Sequence, residues 1–245
     1  MIVSHQHKFI FIKTQKTMGT SIEIALSEFC GEGDILTTLK ADEAIRRELG
    51  YRGVQNTEIS FRHRGLTKYS RRKWLKVFLG LEPYPQIREH ADAAFARAFL
   101  GEKIWNQYFK FCFERNPFDK AISQYYWVTK KLTPRPEINA RIQSMGAGKL
   151  SNWGSYALGG RIAMDFAGRF ERVNRDLEII KARLGLPEIS LPETKVGIRK
   201  DRRHYSEILN EKTRAHIERL CANEIREFGY VWEAQPAAPS DQASK

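Results

Sequence analysis

The chain has 245 residues, 42% of them hydrophobic and 29% charged, and its 41 Lys+Arg against 29 Asp+Glu give a formal net charge of +12. That composition excludes collagen-like, low-complexity and wholly disordered chains, and leaves a globular protein of one large α/β domain or two small ones. No apolar run approaches the ~18 residues of a membrane span, and residues 1–8 lack the apolar stretch of a secretory leader, so a cytoplasmic protein without an integral membrane segment is expected.

In chain order, residues 8–13 form a continuously apolar run with β-branched and aromatic residues, the pattern of a strand covered on both faces. A Thr/Ser/Gly loop follows, then Ile22, Ala25, Leu26 and Phe29 at helical spacing, with Thr20 and Glu23 fitting a capping box. Residues 31–86 show weak periodicity and read as loops and short helices; within them, residues 61–76 carry seven basic and no acidic side chains. Asp92 is a candidate N-cap for a helix bearing Ala94, Phe95, Ala98 and Phe99. Phe109, Phe111 and Phe113 alternate as in a strand, and Pro117 suits the first turn of a helix running towards Lys131. A strand is expected around residues 163–170. Beyond it, Asn174 would cap a helix with Leu177, Ile180 and Leu184 on one face and Gly185 at its end. A long helix over residues 210–228 closes the domain at Gly229, and residues 235–245 read as a disordered tail. Recurrent strand, loop and helix predict a parallel sheet with crossover helices, in a single domain over residues 1–234. Cys30, Cys112 and Cys221 lie far apart with no CxxC pair, which predicts reduced structural thiols and no zinc site.

The basic excess calls for an anionic partner: nucleic acid, a membrane surface, an acidic polysaccharide or a phosphorylated cofactor. The loop after the first strand offers one site. A Thr/Ser/Gly-rich turn feeding a helix N-terminus supplies backbone N–H groups, hydroxyls and the positive end of the helix dipole, and Lys13 and Lys16 flank it. It is not a Walker A loop, because aligned on Gly19 the first Gly position is Thr14 and the Lys position is Thr20. Arg115 follows the second strand, and Ser123 stands on the next helix, so a guanidinium fork and a hydroxyl are both within reach of one phosphate.

Two stretches carry a family resemblance. Phe9-Ile-Phe-Ile-Lys-Thr-Gln-Lys-Thr-Met-Gly-Thr-Ser21 resembles the loop that holds the 5′-phosphosulfate of 3′-phosphoadenosine 5′-phosphosulfate (PAPS) in PAPS-dependent sulfotransferases. Phe111-Cys-Phe-Glu-Arg-Asn-Pro-Phe-Asp-Lys-Ala-Ile-Ser123 resembles their 3′-phosphate motif, most closely in the carbohydrate branch of the heparan sulfate 2-O-sulfotransferase type. Residues 165–171 and 222–230 are similar to the same branch. The chain departs from the pattern at Gln15, where Pro is common, at Met18, where a small residue is common, and at Glu114, where an apolar residue is usual.

The resemblance implies a three-layer α/β/α, P-loop-like sulfotransferase fold and transfer of a sulfuryl group from PAPS to an acceptor hydroxyl, without a metal. It implies that Lys16 neutralises the bridging oxygen, that Thr17, Gly19, Thr20 and Ser21 cradle the 5′-phosphosulfate with Lys13 nearby, and that Arg115 and Ser123 hold the 3′-phosphate. It also implies that Arg199 and Lys200 belong to a loop over the nucleotide, and that His90 is the catalytic base, with His5 and His7 as runners-up. The acceptor implied is a saccharide or anionic glycan, which the basic stretch 62–76 would dock, and no nucleic acid is expected as partner. Two other readings compete: a nucleotide phosphotransferase on the same scaffold, and a basic nucleic-acid-binding protein.

Overall fold

A computed structural model describes residues 1–192 and 199–233; the tail expected over residues 235–245 lies outside the described residues. In chain order the elements are β1 (Ile2–Ser4), β2 (Phe9–Phe11), α1 (Gly19–Ser27), β3 (Ile35–Leu36), α2 (Glu43–Glu48), α3 (Arg71–Phe78), α4 (Ala93–Gln107) and β4 (Phe109–Glu114). Then come α5 (Pro117–Val128), α6 (Ile138–Gln143), α7 (Ala147–Leu150), α8 (Trp153–Tyr156), β5 (Ala157–Leu158), β6 (Arg161–Ile162) and β7 (Phe166–Arg169). The last are α9 (Val173–Leu184), α10 (Tyr205–Ile208), α11 (Glu211–Leu220) and α12 (Ala222–Phe228). Their described residues form two compact units, one within Met1–Glu114 and Asn152–Thr194, the other within Arg115–Ser151 and Lys195–Lys245.

The first unit is mixed α/β around a five-stranded sheet of order β3-β1-β2-β4-β7. β2, β4 and β7 run parallel, as expected. β1 is antiparallel to both β2 and β3, so one strand of the sheet is reversed. Residues 1–8 thus supply a strand and a turn: Ile2 lies opposite Phe11, and Ser4 opposite Phe9. Phe9 to Ile12 are all buried, which is why both faces of β2 are apolar. Phe9, Phe11, Phe111 and Phe113 pack with Ile22, Ala25 and Leu26 of α1 and with Leu177 and Ile180 of α9. The intervening residues of β4 point to the other face, where the Lys110 ammonium lies 5.6 Å from the ring of Trp105 on α4. Gly168 of β7 makes room for this packing, since a Cβ there would come within 2.6 Å of the Phe113 ring.

Several helix ends follow the expected chemistry. The Asp92 side chain accepts from Phe95 N, Asn116 accepts from Phe118 N ahead of Pro117, and Gly185 and Gly229 adopt left-handed C-terminal positions. Others do not. Asn174 lies inside α9, which starts at Val173; the Asp176 carboxylate accepts from Arg169 N and Arg172 Nε and secures that entry instead. The long C-terminal helix breaks at Cys221 (φ −112°, ψ 24°) into α11 and α12, and α4 is interrupted at Gly101 (φ 80°).

The second unit is helical in its described residues. Phe118, Ile122 and Tyr125 of α5 pack with Ile142, Ile217 and Cys221. Buried Glu224 accepts from Ser151 Oγ at 2.6 Å and lies 3.9 Å from the buried Lys120 ammonium. All three cysteines are buried thiols. Among the described residues, no helix is long and apolar enough to cross a membrane.

Candidate functional site

The loop between β2 and α1 emerges where β2 and the parallel β4 both end, and β4 helps to shape it. Ile12 N donates to Phe111 O at 3.0 Å, and Thr14 Oγ1 donates to Phe113 O. Thr14 Oγ1 also lies 2.7 Å from Thr17 Oγ1, so the two buried threonines lock the first turn.

Asn152 holds the next residue by both backbone groups: Gln15 N donates to Asn152 Oδ1 and Asn152 Nδ2 donates to Gln15 O, each at 3.0 Å. Asn152 Nδ2 also donates to Glu114 Oε1 at 3.1 Å, and Tyr156 Oη donates to Glu114 Oε2 at 2.9 Å. Two departures from the family pattern are therefore one arrangement. A Pro at position 15 would lack the N–H that Asn152 accepts, and an apolar residue at 114 would leave Asn152 without its buried carboxylate.

Lys16 (φ 62°) and Met18 (φ 60°) are both left-handed. A left-handed residue on either side of Thr17, leading into a helix N-terminus, is the backbone pattern that turns successive N–H groups towards an anion. α1 starts at Gly19 with Met18 as its N-cap residue and no side-chain cap. Thr20 is therefore not the N-cap, and Glu23 does not close a capping box. The Met18 side chain packs against the core cluster beneath the sheet rather than narrowing the loop. At Gly19 a Cβ would meet Lys13 Cγ at 2.9 Å and the Thr14 carbonyl oxygen at 3.2 Å, so this close approach requires glycine.

The structure turns Lys13 away from the role expected of it. Its buried ammonium lies 3.0 Å from Glu23 Oε2 and 2.6 Å from Glu89 Oε1. Glu23 is fully buried; its other oxygen accepts from the Met1 ammonium and from Thr37 Oγ1, both at 2.9 Å. Burial pushes the Glu23 carboxyl up, but the Met1 and Lys13 charges outweigh this and hold it at about 2. Glu89 is also depressed, with Lys13 overcoming the effect of burial. Lys13 is thus the buried cation that fixes the base of the loop, and its contact with Gly19 is part of that packing.

His90 is tied to the same segment. Its Nδ1 lies 3.0 Å from Lys13 O, and its Nε2 lies 4.0 Å from Glu89 Oε1. A carbonyl oxygen only accepts, so Nδ1 carries the proton and Nε2 of the neutral ring carries the lone pair. Burial, reinforced by the Lys13 charge, lowers the His90 pKa below 6.5, while the Lys13 carbonyl and Glu89 oppose it less strongly. The imidazole is therefore neutral at pH 7 and able to accept a proton at Nε2. His5 instead meets the Tyr108 hydroxyl at 2.8 Å.

In the second unit, Arg115 Nε donates to Asp119 Oδ2 at 2.8 Å, and Arg199 Nη1 pairs with Asp119 Oδ1. One carboxylate thus brings together the two arginines that the family resemblance singled out. Burial raises the Asp119 pKa, but Arg115 and Arg199 prevail and keep it below the ordinary carboxylate value. Arg199 is anchored further by the Asp201 and Arg203 carbonyls, at 2.7 and 2.8 Å. Half-buried Ser123 stands one helical turn beyond Asp119 on α5, on the same side of the helix. Lys200 is exposed.

Thr20 and Ser21 are buried in the first turn of α1, and Lys16 is half-buried at the bend. No sequence signal marks the supporting residues Glu23, Glu89, Glu114 and Asn152 as parts of the site. Asp119, four residues after Arg115, had the one available signal: the spacing of an i,i+4 ion pair.

Among known proteins, the chain is 29% identical over 94 residues to an uncharacterized protein of Archaeoglobus fulgidus, covering 36% of this chain and 78% of that one. No protein-family model and no solved structure matches the chain.

Proposed function

We propose that the protein is a PAPS-dependent sulfotransferase that works in the cytoplasm on a sugar hydroxyl, with an anionic glycan as the favoured acceptor class and a P-loop-like α/β/α arrangement as its fold. The observation that carries this reading is the hydrogen bond from His90 Nδ1 to Lys13 O. It sets a proton-accepting Nε2 beside the first residue of a loop whose backbone suits an oxyanion. A site for moving an anionic group onto a hydroxyl needs both.

In the proposed reaction the acceptor oxygen attacks the sulfur of PAPS in line with the bridging oxygen. A new O–S bond forms, the S–O bond to the 5′-phosphate breaks, and His90 Nε2 takes the acceptor proton. Adenosine 3′,5′-bisphosphate leaves. Chemistry of this kind rests on positioning and charge stabilisation. Lys16 is assigned to the charge growing on the leaving oxygen, and Thr17, Gly19, Thr20 and Ser21 to the 5′ end. Lys13 acts by holding the loop. Arg115 and Ser123 are assigned to the 3′-phosphate, with Arg199 beside them and Lys200 in the adjoining segment.

Thermal shift with adenosine 3′,5′-bisphosphate, ATP plus magnesium, and duplex DNA tests the reading, since a ligand at 100 times its Kd adds about 2.7 kcal/mol. A shift with the bisphosphate alone supports it; a shift with only ATP or only DNA selects the phosphotransferase or the nucleic-acid-binding reading. Lys16→Ala and His90→Ala should lower turnover at least about a hundredfold and keep bisphosphate binding, whereas Arg115→Ala should lose it.

A further inference from the structure

The basic stretch in the first unit carries a second feature that an anionic sugar does not explain. α3 carries one broad apolar face, buried along one side and exposed along the other. Trp74 and Val77 are buried, and the Trp74 ring packs edge-on against Phe61 at 5.5 Å. On the solvent side, Leu75, Phe78 and Leu79 follow one another at i, i+3 and i+4, and are 58%, 81% and 58% exposed. Leu81, three residues past the helix, is 70% exposed. Single exposed apolar residues are ordinary, but a contiguous row on one helix and its exit is not.

Cations frame this row. Arg71, Arg72, Lys73 and Lys76 are exposed on the same helix. Residues 59–81 contain no acid; Glu82, which lies 4.0 Å from Lys76, borders the patch on one side, and exposed Glu58 on the other. A polysaccharide or nucleic acid would use the cations and leave Phe78 and Leu81 in water. An anionic bilayer surface uses both, with the headgroups meeting the arginines and lysines and the apolar row entering the acyl boundary.

We infer that α3 and its exit through Leu81 form a docking surface for an anionic lipid membrane, which the protein binds peripherally. This does not depend on the sulfotransferase reading: the cations lie in the stretch 62–76 that the resemblance gives to an acceptor, but Phe78, Leu79 and Leu81, which decide for a membrane, lie outside it and outside the proposed donor site.

The test is co-sedimentation of the full chain with phosphatidylcholine vesicles containing or lacking 30% phosphatidylserine, at 0.1 and 0.5 M salt. The expected result is binding to the anionic vesicles at low salt, at least tenfold weaker to neutral vesicles and at high salt. Phe78→Ser with Leu81→Ser should weaken it about tenfold or more at unchanged near-UV circular dichroism. Because both side chains are mostly in water, these substitutions leave the fold intact. Three outcomes overturn the inference: no binding to anionic vesicles; heparin binding of equal strength that the double substitution leaves unchanged; or self-association that the double substitution abolishes while vesicle binding is absent.

Discussion

Gly19→Ala isolates the packing that shapes the candidate site. The added Cβ would sit 2.9 Å from Lys13 Cγ and 3.2 Å from the Thr14 carbonyl oxygen, where carbon atoms normally keep about 3.5–4.0 Å apart. A lysine stem usually yields. Here its end is fixed by Glu23 and Glu89, at 3.0 and 2.6 Å, so relief must come from the loop or the ion pairs. Overpacking of this kind costs about 1–3 kcal/mol, and replacing a helical glycine by alanine returns up to about 1 kcal/mol. A net loss of about 1–2 kcal/mol follows, or a few degrees in Tm for a chain of this size. Gly154, on α8 of the same unit, has nothing within 4 Å of its would-be Cβ, and Gly154→Ala should be stabilising by about 0.4–1 kcal/mol. Urea and thermal melts followed by circular dichroism measure both. If Gly19→Ala is as stable as the unaltered protein, or the two substitutions shift stability alike, the pinned-lysine argument fails.

Acid stability should report on Glu23. Its carboxyl is held at about 2 in the fold against an ordinary 4.5, a difference of about 3 kcal/mol. A depressed carboxylate contributes fully above its unfolded value, so this stability is complete above pH 4.5 and is lost as the pH falls towards 2. Glu23→Gln should lower stability at pH 7 by a comparable amount and flatten urea-melt stability over that window; an unchanged acid slope would falsify the assignment. For the proposed activity, the acid limb of kcat/KM should lie below pH 6.5, because burial favours the neutral His90 ring. His90→Ala should remove that limb together with about 10²–10⁴ of the rate, and a limb above pH 6.5 in the unaltered enzyme would exclude His90 as the base.

The parts of the fold that were legible in the sequence are those with a dense local signal. β2 is a fully buried apolar run, and Asp92, Pro117 and Gly185 mark helix ends by chemistry confined to one turn. β1 and β3, of three and two residues, are too short to show a period and exist only because neighbouring strands complete them. Thr20 and Glu23 match a capping box by spacing, yet Glu23 faces the interior, where the Lys13 and Met1 ammonium groups are stronger partners than a helix N–H. The helix over residues 210–228 satisfies the periodicity throughout, and nothing local marks the break at Cys221, a residue of the second unit's core. In the candidate site, the loop composition and the places of Arg115 and Ser123 suggest an anion by residue type and position alone. Lys13 reads as a loop charge by its type and place, and only the fold reveals the two carboxylates that claim it.

The clamp of Asn152 on Gln15 bears on the order in which the molecule takes shape. A side-chain amide that bonds both faces of one peptide group acts as a neighbouring strand one residue long, and here it comes from 137 positions away. Local turn formation cannot supply such a contact, and closing so long a loop carries an entropic cost that earlier contacts must first reduce. Pairing of β4 beside β2 shortens the closure that Asn152 must make, so the bend at Lys16 is held by the assembled unit rather than by the loop's own sequence.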